Sequence, residues 1–249
     1  MPRFFLSHPI DIEDGTPKKV CLEGENAFHL SVSLRSHIGD EVILCDSQAV
    51  EWNCRIEEIS GGKKNPRVIL QPFEGKNCEN ESPLRITLFQ GMPKGKKTDS
   101  IIQKCTELGA SKVVFVYTDR SVPLWDGDDK KKERFRKIAE EAAKQCGRGK
   151  MVEVDLLPDL DSAVLQMLES DVSFACYEGE VQLTLKKLLA PKNCSSLSFF
   201  IGPEGGISDR EALLLKDHNI PTVTLGRRIL RTETAPLAVL SMILYEKEF

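Results

Sequence analysis

Near its carboxyl end the chain twice leaves a short apolar run for a charged, glycine-bearing loop. The first is Ile201-Gly202-Pro203-Glu204-Gly205-Gly206. The second is Leu225-Gly226-Arg227-Arg228-Ile229-Leu230-Arg231-Thr232-Glu233-Thr234-Ala235, which enters an apolar helix predicted over 236–245. Two loops of this kind, each ending a buried strand, are the ingredients of a ligand site at the carboxyl edge of an α/β sheet. Glycine leaves the backbone amides open to a ligand that a side chain would keep away.

The pattern upstream sets the fold class. Up to about residue 70 it reads as short strands: 41–45 and 50–56 form a hairpin, 66–70 is a further strand, and 26–35 is a helix carrying His29, Leu30 and Leu34 on one face. A small β-barrel or sandwich accounts for this region, 1–72. Residues 73–83 are polar and punctuated by Pro and Gly, which predicts a linker. Over 84–249 strands and helices alternate: strands at 84–90, 112–117, 172–176, 197–201 and 222–225, helices at 99–108 and 129–146. That rhythm predicts a mostly parallel sheet with helices on both faces, an α/β domain.

Net charge is −4, yet its distribution is uneven. Residues 84–150 carry 16 basic and 9 acidic side chains, whereas 151–249 carry 9 and 15. The basic excess falls in Lys94-Gly95-Lys96-Lys97, Lys130-Lys131-Lys132 and Arg148-Gly149-Lys150, a pattern able to track phosphates on an acidic protein. The eight cysteines lack any Cys-x-x-Cys pair and no histidine adjoins one, so a metal centre is not expected. Nothing approaches the roughly 20 apolar residues of a membrane span, and the amino terminus is no signal peptide. A cytoplasmic protein is the simplest reading. Gly202–Gly206 lacks the lysine and hydroxyl of a phosphate-binding P-loop, and Gly91-Met92-Pro93-Lys94-Gly95 is not a dinucleotide fingerprint.

With these residues laid out, the chain resembles the SPOUT (trefoil-knot) methyltransferases. More closely, it resembles the family that methylates N3 of a uridine in bacterial 16S ribosomal RNA. The resemblance rests on Met1-Pro2-Arg3-Phe4-Phe5, His29, Leu34-Arg35, Gly39-Asp40, residues 103–109 (Gln-Lys-Cys-Thr-Glu-Leu-Gly), residues 141–148 (Glu-Ala-Ala-Lys-Gln-Cys-Gly-Arg) and the two loops above. Met151 close behind Arg148 and Pro236 after the Glu-Thr-Ala motif depart from the family pattern; a proline is tolerated in a first helical turn.

The resemblance implies a PUA-like β-barrel followed by a knotted α/β methyltransferase domain. It also implies S-adenosylmethionine as methyl donor, a homodimer in which the helix after Pro236 is a natural contact surface, and 16S rRNA of the small ribosomal subunit as partner. On that basis Gly202, Gly205, Gly206 and Gly226 are expected to approach the cofactor, Ile201, Leu225, Ile229 and Leu230 to line its adenine pocket, and Tyr177 to belong to a first cofactor loop. Arg231 is the candidate to stabilise a uridine anion, with Glu233 or Glu204 as base or as the group that fixes the arginine. Arg3, Arg35, Lys94 and Arg148 are the candidate RNA contacts, and His29 reads as structural. A non-catalytic RNA-binding or ribosome-assembly protein, or a knotted methyltransferase with another rRNA target, remains the alternative.

Overall fold

A computed structural model describes residues 1–125, 127, 129–180, 182–190 and 193–248. The chain divides into two compact units, Met1–Glu81 with Ala143–Met151, and Ser82–Ala142 with Val152–Phe249. The first unit contains β1 (Arg3–Phe5), β2 (Ile12–Glu13), β3 (Thr16–Pro17), β4 (Val20–Leu22), α1 (Gly24–Phe28), β5 (Glu41–Cys45), β6 (Val50–Ser60) and β7 (Arg67–Asn77). Helix α1 runs into a π-helical turn over His29–Ser33, and the chain then turns at Arg35, whose φ is 55°. The main sheet has the order β1-β5-β6-β7-β4 and is antiparallel except for β1 beside β5. Alternate residues Val42, Leu44, Cys54, Ile56, Val68 and Leu70 point inward onto Phe4 and Leu30, the period expected of a half-buried sheet.

Part of the stretch expected to be a linker is strand. β7 stays paired with β6 as far as Asn77, opposite Val50. Gly75 and the Pro72 that immediately precedes this stretch have other tasks. Pro72 lies at a register shift, where a missing amide donor is tolerated. Gly75 lies under Trp52, whose ring atoms would sit 2.8 Å from a Cβ there.

The second unit contains β8 (Arg85–Gly91), α2 (Lys97–Glu107), β9 (Lys112–Val116), α3 (Asp129–Cys146), β10 (Glu153–Leu157), α4 (Leu160–Met167), β11 (Val172–Cys176), α5 (Leu185–Leu189), β12 (Ser196–Ile201), α6 (Asp209–Asp217), β13 (Thr222–Val223) and α7 (Ala235–Lys247). Its sheet is wholly parallel, in the order β10-β9-β8-β12-β11-β13. Adjacent residues serve opposite faces: Leu88, Phe115 and Phe199 join one core with α2 and α7, whereas Phe89, Val114 and Phe200 join another with α4 and α6. The strands are therefore continuous apolar runs, as burial on both faces demands. Strand β12 enters between β8 and β11, so successive strands depart to opposite sides of the β8/β12 pair. A sheet opens a crevice at such a reversal of strand order. Among the described residues no helix is long and apolar enough to cross a membrane.

Two of the candidate RNA contacts are spent inside the first unit. The Arg3 guanidinium donates to Glu51 at 2.7 Å and to the carbonyl of Arg148 at 3.0 Å. Arg148, its side chain 7% exposed, forks onto Glu81 with bonds of 3.1 and 2.7 Å. Glu81 also accepts the amides of Gly149 and Lys150. Both arginines thus staple the segment after α3 to the β unit. Removing one partner of a buried pair strands the other charge. Arg148→Ala is expected to lower unfolding stability by about 3 kcal/mol, read from urea melts; a change below about 0.5 kcal/mol, the size of an ordinary surface substitution, would show the pair to be solvated.

Candidate active site

Three stretches meet over the carboxyl ends of β11, β12 and β13: Tyr177–Glu180, Gly202–Gly206 and Thr224–Glu233. They enclose a cavity of about 860 Å³, within the range of small-molecule sites. The stretch after β13 is irregular. It leaves the sheet through the Thr224 amide, which donates to the carbonyl of Leu183 at 2.8 Å, crosses to Gly202, and turns into α7 at Arg231, whose carbonyl accepts the amides of Thr234 and Ala235.

The cavity gathers Tyr177, Ile201, Gly202, Glu204, Gly206, Leu225, Gly226, Ile229, Leu230, Arg231 and Glu233. The glycines differ in their reasons. A Cβ on Gly206, at φ 71°, would lie 2.3 Å from a Glu178 carboxylate oxygen, and one on Gly202 about 3.1 Å from the Gly206 backbone. Gly226 has φ 110° in open space, so its constraint is the backbone conformation alone. Gly205 does not line the cavity. It turns outward against Arg120, whose guanidinium donates to the Gly205 carbonyl at 3.0 Å. Ile229 borders the cavity but is 86% exposed, so it forms rim rather than wall; Ile201, Leu225 and Leu230 supply the apolar lining.

Lys97, which the sequence shows only as one member of a basic cluster, organises the charges. Its ammonium sits 2.8 Å from Glu204 and 3.3 Å from Glu233, joining α2 to both loops. The hydrogen bond to Glu204 raises the Lys97 pKa above its ordinary value. Partial burial alone would raise the Glu204 carboxyl, but Lys97 and the amide of Lys94 outweigh it and hold the group below the usual range. Arg231, Arg227 and Arg228 line the same cavity, are exposed, and have no ion pair among the described residues. Burial pushes the Cys176 thiol upward, which keeps it protonated and unreactive. Of the candidate RNA contacts, Arg35 and Lys94 are exposed.

The outer wall is braced from β9. Glu211, fully buried, accepts the amides of Asp119 and Ser208, closing a capping box on α6. Asp119 in turn binds Arg210 and the Ser208 hydroxyl, at 2.8 and 2.7 Å.

Residues 80–244 match an RNA methyltransferase domain family and residues 22–69 an RNA methyltransferase PUA domain. Ribosomal RNA small subunit methyltransferase E of Bacillus subtilis is 36% identical over 255 aligned positions, covering 100% of this chain and 98% of the relative. The chain belongs to the ribosomal RNA small subunit methyltransferase E family. A family member from Synechocystis is 29% identical, over 90% of this chain and 72% of its own length. The Neisseria gonorrhoeae enzyme of this family, solved bound to S-adenosyl methionine, superimposes with a TM-score of 0.84 at 28% identity, covering 98% of this chain and 97% of that one. The β unit carries the residues that match the PUA domain, and the parallel α/β unit most of those that match the RNA methyltransferase domain.

The bracing of the family's glycine loop carries a pH dependence. Hydrogen bonds from Arg210 and Ser208 lower the Asp119 carboxyl from 3.8 to about 2. A depressed folded-state pKa contributes stability that is complete above the unfolded value and is lost as pH falls through the folded one. The Asp119 contribution is therefore expected to fade between pH about 4 and about 2. Acid titration of Asp119→Asn beside the parent tests this: the variant's stability is expected to fall less steeply in that window. Parallel curves would assign the acid limb elsewhere.

Proposed function

We propose that this chain transfers a methyl group from S-adenosylmethionine to N3 of a uridine in 16S rRNA, on the small ribosomal subunit. The observation that carries the reading is the cavity itself: two glycine-bearing loops, an apolar lining of Ile201, Leu225 and Leu230, and at one side Arg231, which has no ion pair among the described residues. Glycine at 202 and 206 lets the loop fold closely on itself, since a Cβ on Gly206 would meet the Glu178 carboxylate and one on Gly202 the Gly206 backbone, and leaves loop backbone to line the cavity. When bound, S-adenosylmethionine supplies an electrophilic methyl on a sulfonium; the protein's share is to align a nucleophile with it.

Uridine N3 carries a proton at neutral pH, and its removal leaves an anion spread over the flanking carbonyl oxygens. Arg231, whose carbonyl starts α7 and whose side chain lines the cavity, is the cation we assign to that charge. Glu204 is tethered closely to Lys97 and held ionised at low pKa, so it serves as a brace. Glu233, farther from the same ammonium, is the carboxylate left to take the proton. Arg227, Arg228, Lys94 and Arg35 supply exposed cations for phosphate. Helix α7 is apolar all round. One side, Val239, Leu240 and Ile243, fills the core, while Ala238, Met242 and Tyr245 form a shallow apolar groove with Leu185 and Leu189, which we assign to a second copy of the chain. An enzyme of ribosome maturation with this architecture works in the cytoplasm.

Labelled S-adenosylmethionine, purified protein and small subunits from a strain lacking the corresponding enzyme test the reading. Nucleoside mass spectrometry is expected to find labelled 3-methyluridine, and Arg231→Ala to lower turnover about 10²- to 10³-fold, the loss typical of one anion-stabilising donor. A different methylated nucleoside would overturn the target. Bound cofactor with no transfer to any rRNA would favour a non-catalytic assembly protein.

A further inference from the structure

Behind the cavity lining, where the crossing segment meets the end of β8, lies a buried polar cluster that the chemistry above does not use. Gln90, at the end of β8, is fully buried. Its amide nitrogen faces four acceptors: the Thr232 hydroxyl at 2.8 Å and the carbonyls of Gly91, Gly202 and Ile201 at 3.1, 3.4 and 3.5 Å. This fixes the amide's orientation, because the reverse would press its oxygen against three carbonyls. The Thr232 hydroxyl accepts from Gln90 and donates to the Gly202 carbonyl at 2.8 Å. Only a group that both donates and accepts can stand there. The Gln90 oxygen Oε1, buried, accepts nothing from the described residues.

We infer that Gln90 and Thr232 form a latch that positions the cofactor-facing backbone, Gly202 above all, against the crossing segment 224–234. This rests on the cofactor reading of the cavity given above. Gln90 does not line the cavity, whereas Gly202 and Thr232 do, so the pair acts through the loop. Beyond Thr224, that crossing segment is joined to the rest of the unit by polar links at only two described points, Thr232 with Gly202 and Gln90, and Glu233 with Lys97. The Thr232 link is the buried one. Leaving one acceptor of Gln90 unsatisfied is a poor way to gain stability, since two well-packed apolar side chains would fill the same space without that cost. Such a group is instead suited to setting the height of the Gly202 carbonyl, and with it the spacing of Arg231 and Glu233 on either side of Thr232.

The test compares Thr232→Val, Thr232→Ser, Gln90→Leu and the Gln90→Leu/Thr232→Val double variant. Calorimetry with S-adenosylmethionine measures affinity, and melting of the ligand-free proteins measures stability. Thr232→Val and Gln90→Leu are expected to weaken cofactor binding about tenfold and to raise the cofactor KM while leaving the KM for small subunits unchanged. The double variant is expected to lose little more than either single one, as members of one unit do, and to melt within about 3 °C of the parent. Thr232→Ser, which keeps the hydroxyl, is expected to bind as the parent does. If Gln90→Leu fails to fold, the Thr232 pair of variants decides the matter. Parent-like affinity in folded Thr232→Val, or a fall in melting temperature with affinity unchanged, would overturn the latch and leave a structural staple. Failure of the parent protein to bind S-adenosylmethionine would overturn the reading of the cavity, and the latch with it.

Discussion

The close approach of the segment after β13 to the ends of β8 and β12 is the contact on which the rest of the site depends. A parallel sheet offers a crevice at its carboxyl edge, but a crevice has no roof. Here the roof is an irregular stretch that, among the described residues, makes no ladder bonds after Thr224 and is anchored through Thr232 and Glu233. The approach is tight on both sides: a Cβ on Gly91 would lie 2.4 Å from the Pro203 ring. Backbone meets backbone where β8 and the loop after β12 converge, and Gly91 leaves the space that Pro203 takes.

Charge pairing explains how an acidic protein can serve an RNA substrate. Arg3, Arg134, Arg148 and Arg210 are matched to carboxylates within their own units. Arg227, Arg228 and Arg231 at the cavity are not, among the described residues, and the field at the cavity mouth is set by these local cations more than by net charge. Lys97 divides its charge between two loops, offsetting part of the negative charge of Glu204 and Glu233 while tying the loops together.

Much of this architecture was legible in the sequence because double-sided burial writes itself as apolar runs. Strands β5 and β11 and helix α3 occupy the spans predicted for them. The loops that line the cavity were legible because glycine and charge follow directly on such runs. Other features depend on partners distant in sequence. Arg3 finds Glu51 and Arg148 finds Glu81, pairs that composition cannot distinguish from phosphate contacts. Lys97 belongs to a basic cluster that reads as tracking phosphates, and its two carboxylates lie more than a hundred residues away. Gly75 reads as a break until Trp52 is seen stacked on it. Ile229 reads as pocket lining, and only the path of the loop turns it outward. Helices α4 and α6 had caps in plain view, Asp159 and Ser208, but few residues to carry a period.

Hydrogen exchange with and without S-adenosylmethionine tests most directly the claim that the crossing segment and the glycine loop together hold the cofactor. Slower amide exchange is expected at 177–180, 201–206 and 224–235, with the rest of the chain little changed. Protection that leaves 224–235 untouched, or that falls outside these three stretches, would contradict the account.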